Sequence, residues 1–194
     1  MRPDVLNRGY KPATKLLFAT IRLFSGRSLP DAAKLVFYRP DFYGNPAKHF
    51  THLAMRGPSD WSVADRELMA AVVSRANECT FCVGAHTATA EQAYADPALV
   101  RAVLADLDAA PIDDRLRATL RMLDGLTREG SISVDDMRAV LAAGVTRQQV
   151  EDALAVGAAF NITNRLADAF HFEVLDQDGF AAGAKYLLKR GYGS

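Results

Sequence analysis

Cysteine is scarce in this chain: two in 194 residues, alongside one tryptophan and four histidines. Two thiols cannot build the multi-bridge framework of a small secreted scaffold. Excess charge of either sign is missing too, with 23 Lys and Arg against 23 Asp and Glu, and no dense basic run compensates. That balance argues against nucleic acid or an acidic membrane surface as partner. No stretch approaches the roughly 20 apolar residues of a membrane span. Lys11 and Lys15 precede the apolar "LLFATIRLF", but Arg22 interrupts it and "SGRSLPD" follows. An amphipathic helix is expected there in place of a signal peptide, and the protein is read as cytoplasmic. Strict apolar–polar alternation over a strand length is hard to find, which argues against a sheet.

What is present is the composition of an ordinary globular protein, 49% hydrophobic and 24% charged. Its length allows one substantial core. Apolar residues recur every three or four positions, so the fold class is all-α, with about nine or ten helices. Leu16, Leu17, Ile21 and Phe24 mark the first, and Pro30 opens a short second that breaks before Pro40. A third runs from about Pro46 to Gly57-Pro58. Ser62 and Asp65 have capping-box spacing ahead of "RELMAAVVSRAN", and the next helix should begin within Cys79–Cys82. Pro97 opens another, Gly130 closes "DDRLRATLRMLDGLTREG", and Ser133/Asp136 and Thr146/Gln149 cap two more. The last of these should run through "RQQVEDALAVGAAFNITNRLADAFHFEVL", before a tail helix around "AAGAKYLLK". Nothing reads as a linker, so residues 1–194 are expected to form one domain.

Both cysteines lie in "NECTFCVGAHTAT", which admits two chemistries. A closed zinc site needs four ligands. Cys79, Cys82 and His86 would supply three, and neither His49 nor His52 falls at a familiar ligand spacing. The redox reading needs nothing further: thiols at i and i+3 near a helix start can close a disulfide, and the helix dipole favours thiolate. His86, four residues after Cys82, shares its helical face and can accept the thiol proton. A carboxylate would complete a relay. Glu67, in "RELMAAVV", could reach the turn if its helix packs antiparallel, and partial burial would raise its pKa toward neutrality. Spacing alone does not separate Glu67 from Glu78.

The run Glu67–x11–Cys79–x2–Cys82–x3–His86 resembles the signature of the alkylhydroperoxidase AhpD branch of the carboxymuconolactone decarboxylase superfamily. "SRANECTFCVGAHTATA" is similar to that branch's helix–turn–helix. "AGVTRQQVEDALAVGAAFNITNRLADAF" resembles the later part of its peroxidase-related members. The likeness is close over about residues 40–175 and weaker at both ends. It implies a compact multi-helix AhpD-like fold and a thiol-dependent peroxidase. Cys82 would be the peroxidatic cysteine, Cys79 the resolving one, and Glu67 and His86 the proton relay. The implied cycle uses a hydroperoxide and an external dithiol reductant, a lipoyl-bearing protein in the best-known members, with no cofactor. The resemblance also implies a homo-oligomer, trimer or hexamer. AhpD itself has a histidine between the cysteines where this chain has Phe81. Decarboxylase members lack the CxxC, so its presence argues against lactone decarboxylation. Against the peroxidase stand three alternatives: a redox sensor, a zinc-binding CxxC protein and a decarboxylase-like member.

Asn161, Asn164, Asp168 and His171 form a polar stripe on the long helix, read as an exposed or subunit-contact face or, more sharply, as reaching the thiol pocket. His49 and His52 are expected on a helix near the site or an interface. Trp61 is read as a hydrophobic staple.

Overall fold

A computed structural model describes residues 6–193. They form ten α-helices and no strand among the described residues: α1 Pro12–Ser25, α2 Asp31–Tyr38, α3 Asn45–Arg56, α4 Val63–Ala76, α5 Thr80–Tyr94, α6 Pro97–Ala105, α7 Asp114–Glu129, α8 Val134–Ala142, α9 Arg147–Ala169 and α10 Gln177–Arg190. The all-α expectation holds, and most helix boundaries fall where the caps put them. The capping boxes at Ser62, Ser133 and Thr146 are all formed. Residues Pro40–Gly44, between α2 and α3, make a single π-helical turn.

The centre of the molecule is α4. Every residue from Arg66 to Ser74 is buried, because α5, α9, α7, α3 and α6 all pack on it. A helix covered on every side has to be apolar on nearly every side, which "LMAAVV" supplies. Arg66, Glu67 and Ser74 are the exceptions; Glu67 has 0% exposure, and a carboxylate carried there needs partners. Around α4 runs the main core, including Met55, Leu68, Leu120, Leu123, Val156 and Phe160. Trp61 joins this core and donates its indole N–H to the Gln149 carbonyl at 2.8 Å. The staple reading is thereby corrected: the residue four places into α4 is Arg66, and Trp61 ties the start of α4 to that of α9.

A second apolar cluster surrounds the cysteines: Leu6, Leu35, Phe81, Ala167 and Phe172, with Tyr38, Tyr43, Phe170 and Phe180 at its edge. The tail helix α10 lies along α5. Their approach is close because Gly84 has no side chain; a Cβ there would stand 2.5 Å from the Phe180 ring. Helix α1 buries none of its residues and leaves Leu16, Leu23 and Phe24 exposed.

Candidate active site

The turn that carries the thiols is built by the end of α4. Asn77 caps that helix, Glu78 turns left-handed at φ 58°, and Cys79 follows as the N-cap of α5. The Glu78 N–H donates to Arg75 O at 2.9 Å and the Cys79 N–H to Ser74 O at 3.0 Å, the paired bonds of a Schellman ending. Cys79 thus finishes one helix and starts the next, and Cys82 lies in the first turn of α5, where the helix dipole favours an anion. Glycine is the usual residue at the left-handed position, and glutamate there is strained. Glu78→Gly is expected to stabilise the fold by about 0.5–1 kcal/mol, a rise of roughly 1–4 °C in melting temperature that calorimetry would register.

The end of α9 repeats this device. His171 is left-handed at φ 48°, its N–H bonds Asp168 O at 3.1 Å, and the Phe172 N–H bonds Ala167 O at 2.9 Å. The helix therefore stops at Ala169, six residues short of the expected Leu175. With His171 in place of glycine, the sequence carries no stop signal. The reversal turns Phe172 edge-on to Phe81, with ring centroids 5.3 Å apart, and closes the apolar wall beside the thiols.

Glu67 and His86 meet, as α4 and α5 pack side by side. His86 Nδ1 is 2.8 Å from Glu67 Oε2, and the imidazole is wedged edge-on against Phe160 at 4.2 Å between centroids. Two residues absent from the sequence reading complete the cluster. Arg56, from the last turn of α3, donates to Glu67 Oε1 at 2.6 Å. The Tyr192 hydroxyl reaches both carboxylate oxygens, at 3.0 and 3.1 Å. Burial pushes the Glu67 carboxyl up, but the His86 hydrogen bond and the charges of His86 and Arg56 outweigh it and hold the pKa below the ordinary range. The expectation of a raised, proton-trading Glu67 is therefore corrected: its hydrogen bond to His86, with the Arg56 charge, keeps it ionised. An ionised carboxylate only accepts, so Nδ1 carries the imidazole proton and Nε2 is left as the basic nitrogen. Glu78, the rival carboxylate, is exposed at the turn.

Both cysteines are free and 1% exposed. They titrate as a pair. A hydrogen bond from Cys82 lowers the Cys79 pKa against the opposing effects of burial and Asp168. The same bond, with burial, raises Cys82 far above the ordinary thiol. One proton leaves the pair readily and the second is held, and the charge belongs to the pair. His86 lies one turn beyond Cys82 on the same helix.

The polar stripe divides. Asp168 faces Cys79, and its charge opposes ionisation of that thiol. Asn164 is fully buried and accepts from the Ser74 hydroxyl at 3.1 Å, next to the carbonyl that holds the Cys79 N–H. Asn161 bonds Asn77 at 2.9 Å, bracing the start of the turn. His171 is beyond the helix end and exposed. The exposed-face reading thus fails for Asn164. His52 contacts the chain at Gly191, beside Tyr192, whereas His49 is exposed. Among the described residues, no group of three or more His, Cys, Asp or Glu side chains is arranged to hold a metal ion. No helix among them is long and apolar enough to cross a membrane.

The all-α bundle matches the AhpD-like fold. Residues 40–125, which hold Arg56, Glu67, both cysteines and His86, match the Carboxymuconolactone decarboxylase family. The fold is similar to that of an uncharacterized peroxidase-related protein from Silicibacter sp. TM1040, at 26% identity and a TM-score of 0.73 over 89% of this chain and 90% of that one. It is also similar to an AhpD-core, uncharacterized peroxidase-related protein from Ralstonia eutropha JMP134, at 22% identity and a TM-score of 0.71, covering 95% of each chain. A debrominase in its apo form shares the fold at 13% identity and a TM-score of 0.70, over 89% of this chain and 92% of that one. No curated protein matches the sequence. A fold that also serves a debrominase leaves the activity to be argued from the site.

Proposed function

We propose that the protein is a thiol-dependent peroxidase that reduces hydroperoxides through a Cys79/Cys82 dithiol–disulfide cycle. The observation that carries this reading is the buried Arg56–Glu67–His86 chain ending one helical turn from Cys82. It supports an imidazole held in the tautomer that can take a thiol proton. In the cycle His86 Nε2 removes the Cys82 proton, and the thiolate attacks the outer oxygen of R–O–OH. The O–O bond breaks, the leaving alkoxide takes the proton back as R–OH, and Cys82 is left as the sulfenic acid. The Cys79 thiol then displaces hydroxide from Cys82, releasing water and closing the disulfide. An external dithiol restores both thiols and is itself oxidised to a disulfide. Glu67 moves no proton of its own; as a fixed anion it orients His86 and stabilises the imidazolium, as the carboxylate of a catalytic triad does.

Hydroperoxide consumption by the reduced protein with a dithiol reductant tests this. Many turnovers are expected, abolished by Cys82→Ser and by Cys79→Ser. Both sulfurs are shielded by Tyr38, Tyr43, Phe81 and Phe172, a burial that a redox sensor would share. A disulfide that forms once and never turns over would favour the sensor. The exposed apolar side chains of α1 support a homo-oligomer in which a second copy covers them; a monomer by light scattering would overturn that.

A further inference from the structure

Tyr192 comes from beyond α10 and from outside the family segment, yet it reaches the most buried carboxylate in the molecule. Its path is narrow. Gly191 is left-handed at φ 65°, and a Cβ on it would stand 2.9 Å from His52 Cε1, so only glycine lets the chain pass there. The tyrosine ring then lies under Arg56, whose guanidinium carbon is 5.1 Å from the ring centroid. Arg56 also donates to Leu187 O at 3.2 Å, pinning the end of α10 against α3. The ring is thus held independently of its hydroxyl.

We propose that Tyr192 is a positioning residue of the site: its hydroxyl, shared between the two Glu67 oxygens and 3.4 Å from His86 Nδ1, sets how strongly Glu67 holds the imidazole and hence the pH at which His86 takes up a proton. Burial and the Glu67 charge keep the phenol protonated, so it acts as a donor. Each hydrogen bond a carboxylate accepts spreads its charge and weakens what it offers its next partner. Tyr192 competes with His86 for Glu67, and removing the hydroxyl strengthens the Glu67–His86 bond. A more basic carboxylate beside Nδ1 favours imidazolium.

Other groups face this relay from each packed element. Glu67 comes from α4, Arg56 and His52 from α3, Cys82 from α5 itself, and Asp168, beside Cys79, from α9. Helix α9 adds the uncharged Phe160, and α10 offers Arg56 the Leu187 carbonyl. The Glu91–Arg101 pair between α5 and α6 lies on the surface at 3.4 Å. Tyr192→Phe alters none of these and keeps the ring.

The inference rests on His86 being the relay base, but its test does not require turnover. In reduced protein labelled with 15N-histidine, the His86 titration midpoint is expected to rise by about one pH unit in Tyr192→Phe, a tenfold gain in proton affinity. Gly191→Ala, which displaces the tyrosine but keeps the phenol, is expected to shift it the same way. The acid limb of kcat/KM should follow by the same amount. An unchanged or lowered His86 midpoint in folded Tyr192→Phe would overturn the proposal, even if peroxide turnover is intact. Absence of turnover with the midpoint raised would overturn the peroxidase reading and leave this one standing.

Discussion

Glu67→Gln is expected to lower activity by about 10²–10⁴-fold and to cost about 3–5 kcal/mol of stability. Both losses come from one mismatch. The carboxylate accepts from Arg56, His86 and Tyr192, all donors, and it has no exposure to water. A glutamine amide brings one oxygen and one N–H₂ to a place where every neighbour donates. Its nitrogen is satisfied only if the Tyr192 hydroxyl turns to accept from it or His86 turns to the other tautomer, with Nδ1 bare and the proton on Nε2. That tautomer cannot take a thiol proton. Arg56, 11% exposed at its side chain, meanwhile loses its counter-charge. A drop of roughly 2–4 °C in melting temperature per kcal/mol follows for a chain of this size. Wild-type activity in Glu67→Gln would show that the carboxylate is structural only.

Removal of the cation should act in a different way. Arg56→Met leaves Glu67 and His86 as a buried pair with one uncompensated negative charge, and about 3–5 kcal/mol should be lost at neutral pH. The pH dependence should change as well. In the wild type the folded-state pKa of Glu67 is depressed, so its stabilisation is present above the unfolded value of about 4.3 and is lost as pH falls through the folded one. Without Arg56, its charge and hydrogen bond no longer hold the Glu67 pKa down, and the folded value moves up. The stabilisation that Arg56 supplies is full where Glu67 is ionised and vanishes at low pH, where the carboxyl is protonated with or without it. Urea melts at pH 5.5 and pH 8 should show the variant closer to wild type at the lower pH. A deficit independent of pH would mean that Arg56 acts by packing and by its bonds to the Met55 and Leu187 carbonyls.

Helices with chemical punctuation were legible from the residues alone. Ser62, Ser133 and Thr146 announce their helices through capping boxes, and Pro97 and Gly130 mark a start and a stop. The end of α9 was not legible because a histidine occupies the left-handed position, and Glu78 does the same before Cys79. Of the cluster, helical spacing carried Cys79, Cys82 and His86, whereas only the family resemblance set Glu67 apart from Glu78. Arg56 was missed because an arginine in a last helical turn ordinarily serves its own helix dipole. Tyr192 was missed because its contact spans 125 residues and its only local sign is a tyrosine between two glycines. Without Arg56 in view, burial alone governed the expected Glu67 pKa, and its direction came out reversed.

The sulfur that meets the peroxide remains the centre of the account, because Cys82 donates to Cys79 in the resting pair while His86 is placed beyond Cys82. The measurement is mass spectrometry of single-cysteine variants after one equivalent of hydroperoxide, with a sulfenic-acid trap present. The account predicts a trapped sulfenic acid on Cys82 in Cys79→Ser and, in the wild type, a Cys79–Cys82 disulfide with no adduct. An adduct on Cys79 in Cys82→Ser, with Cys82 left as thiol in Cys79→Ser, would contradict it.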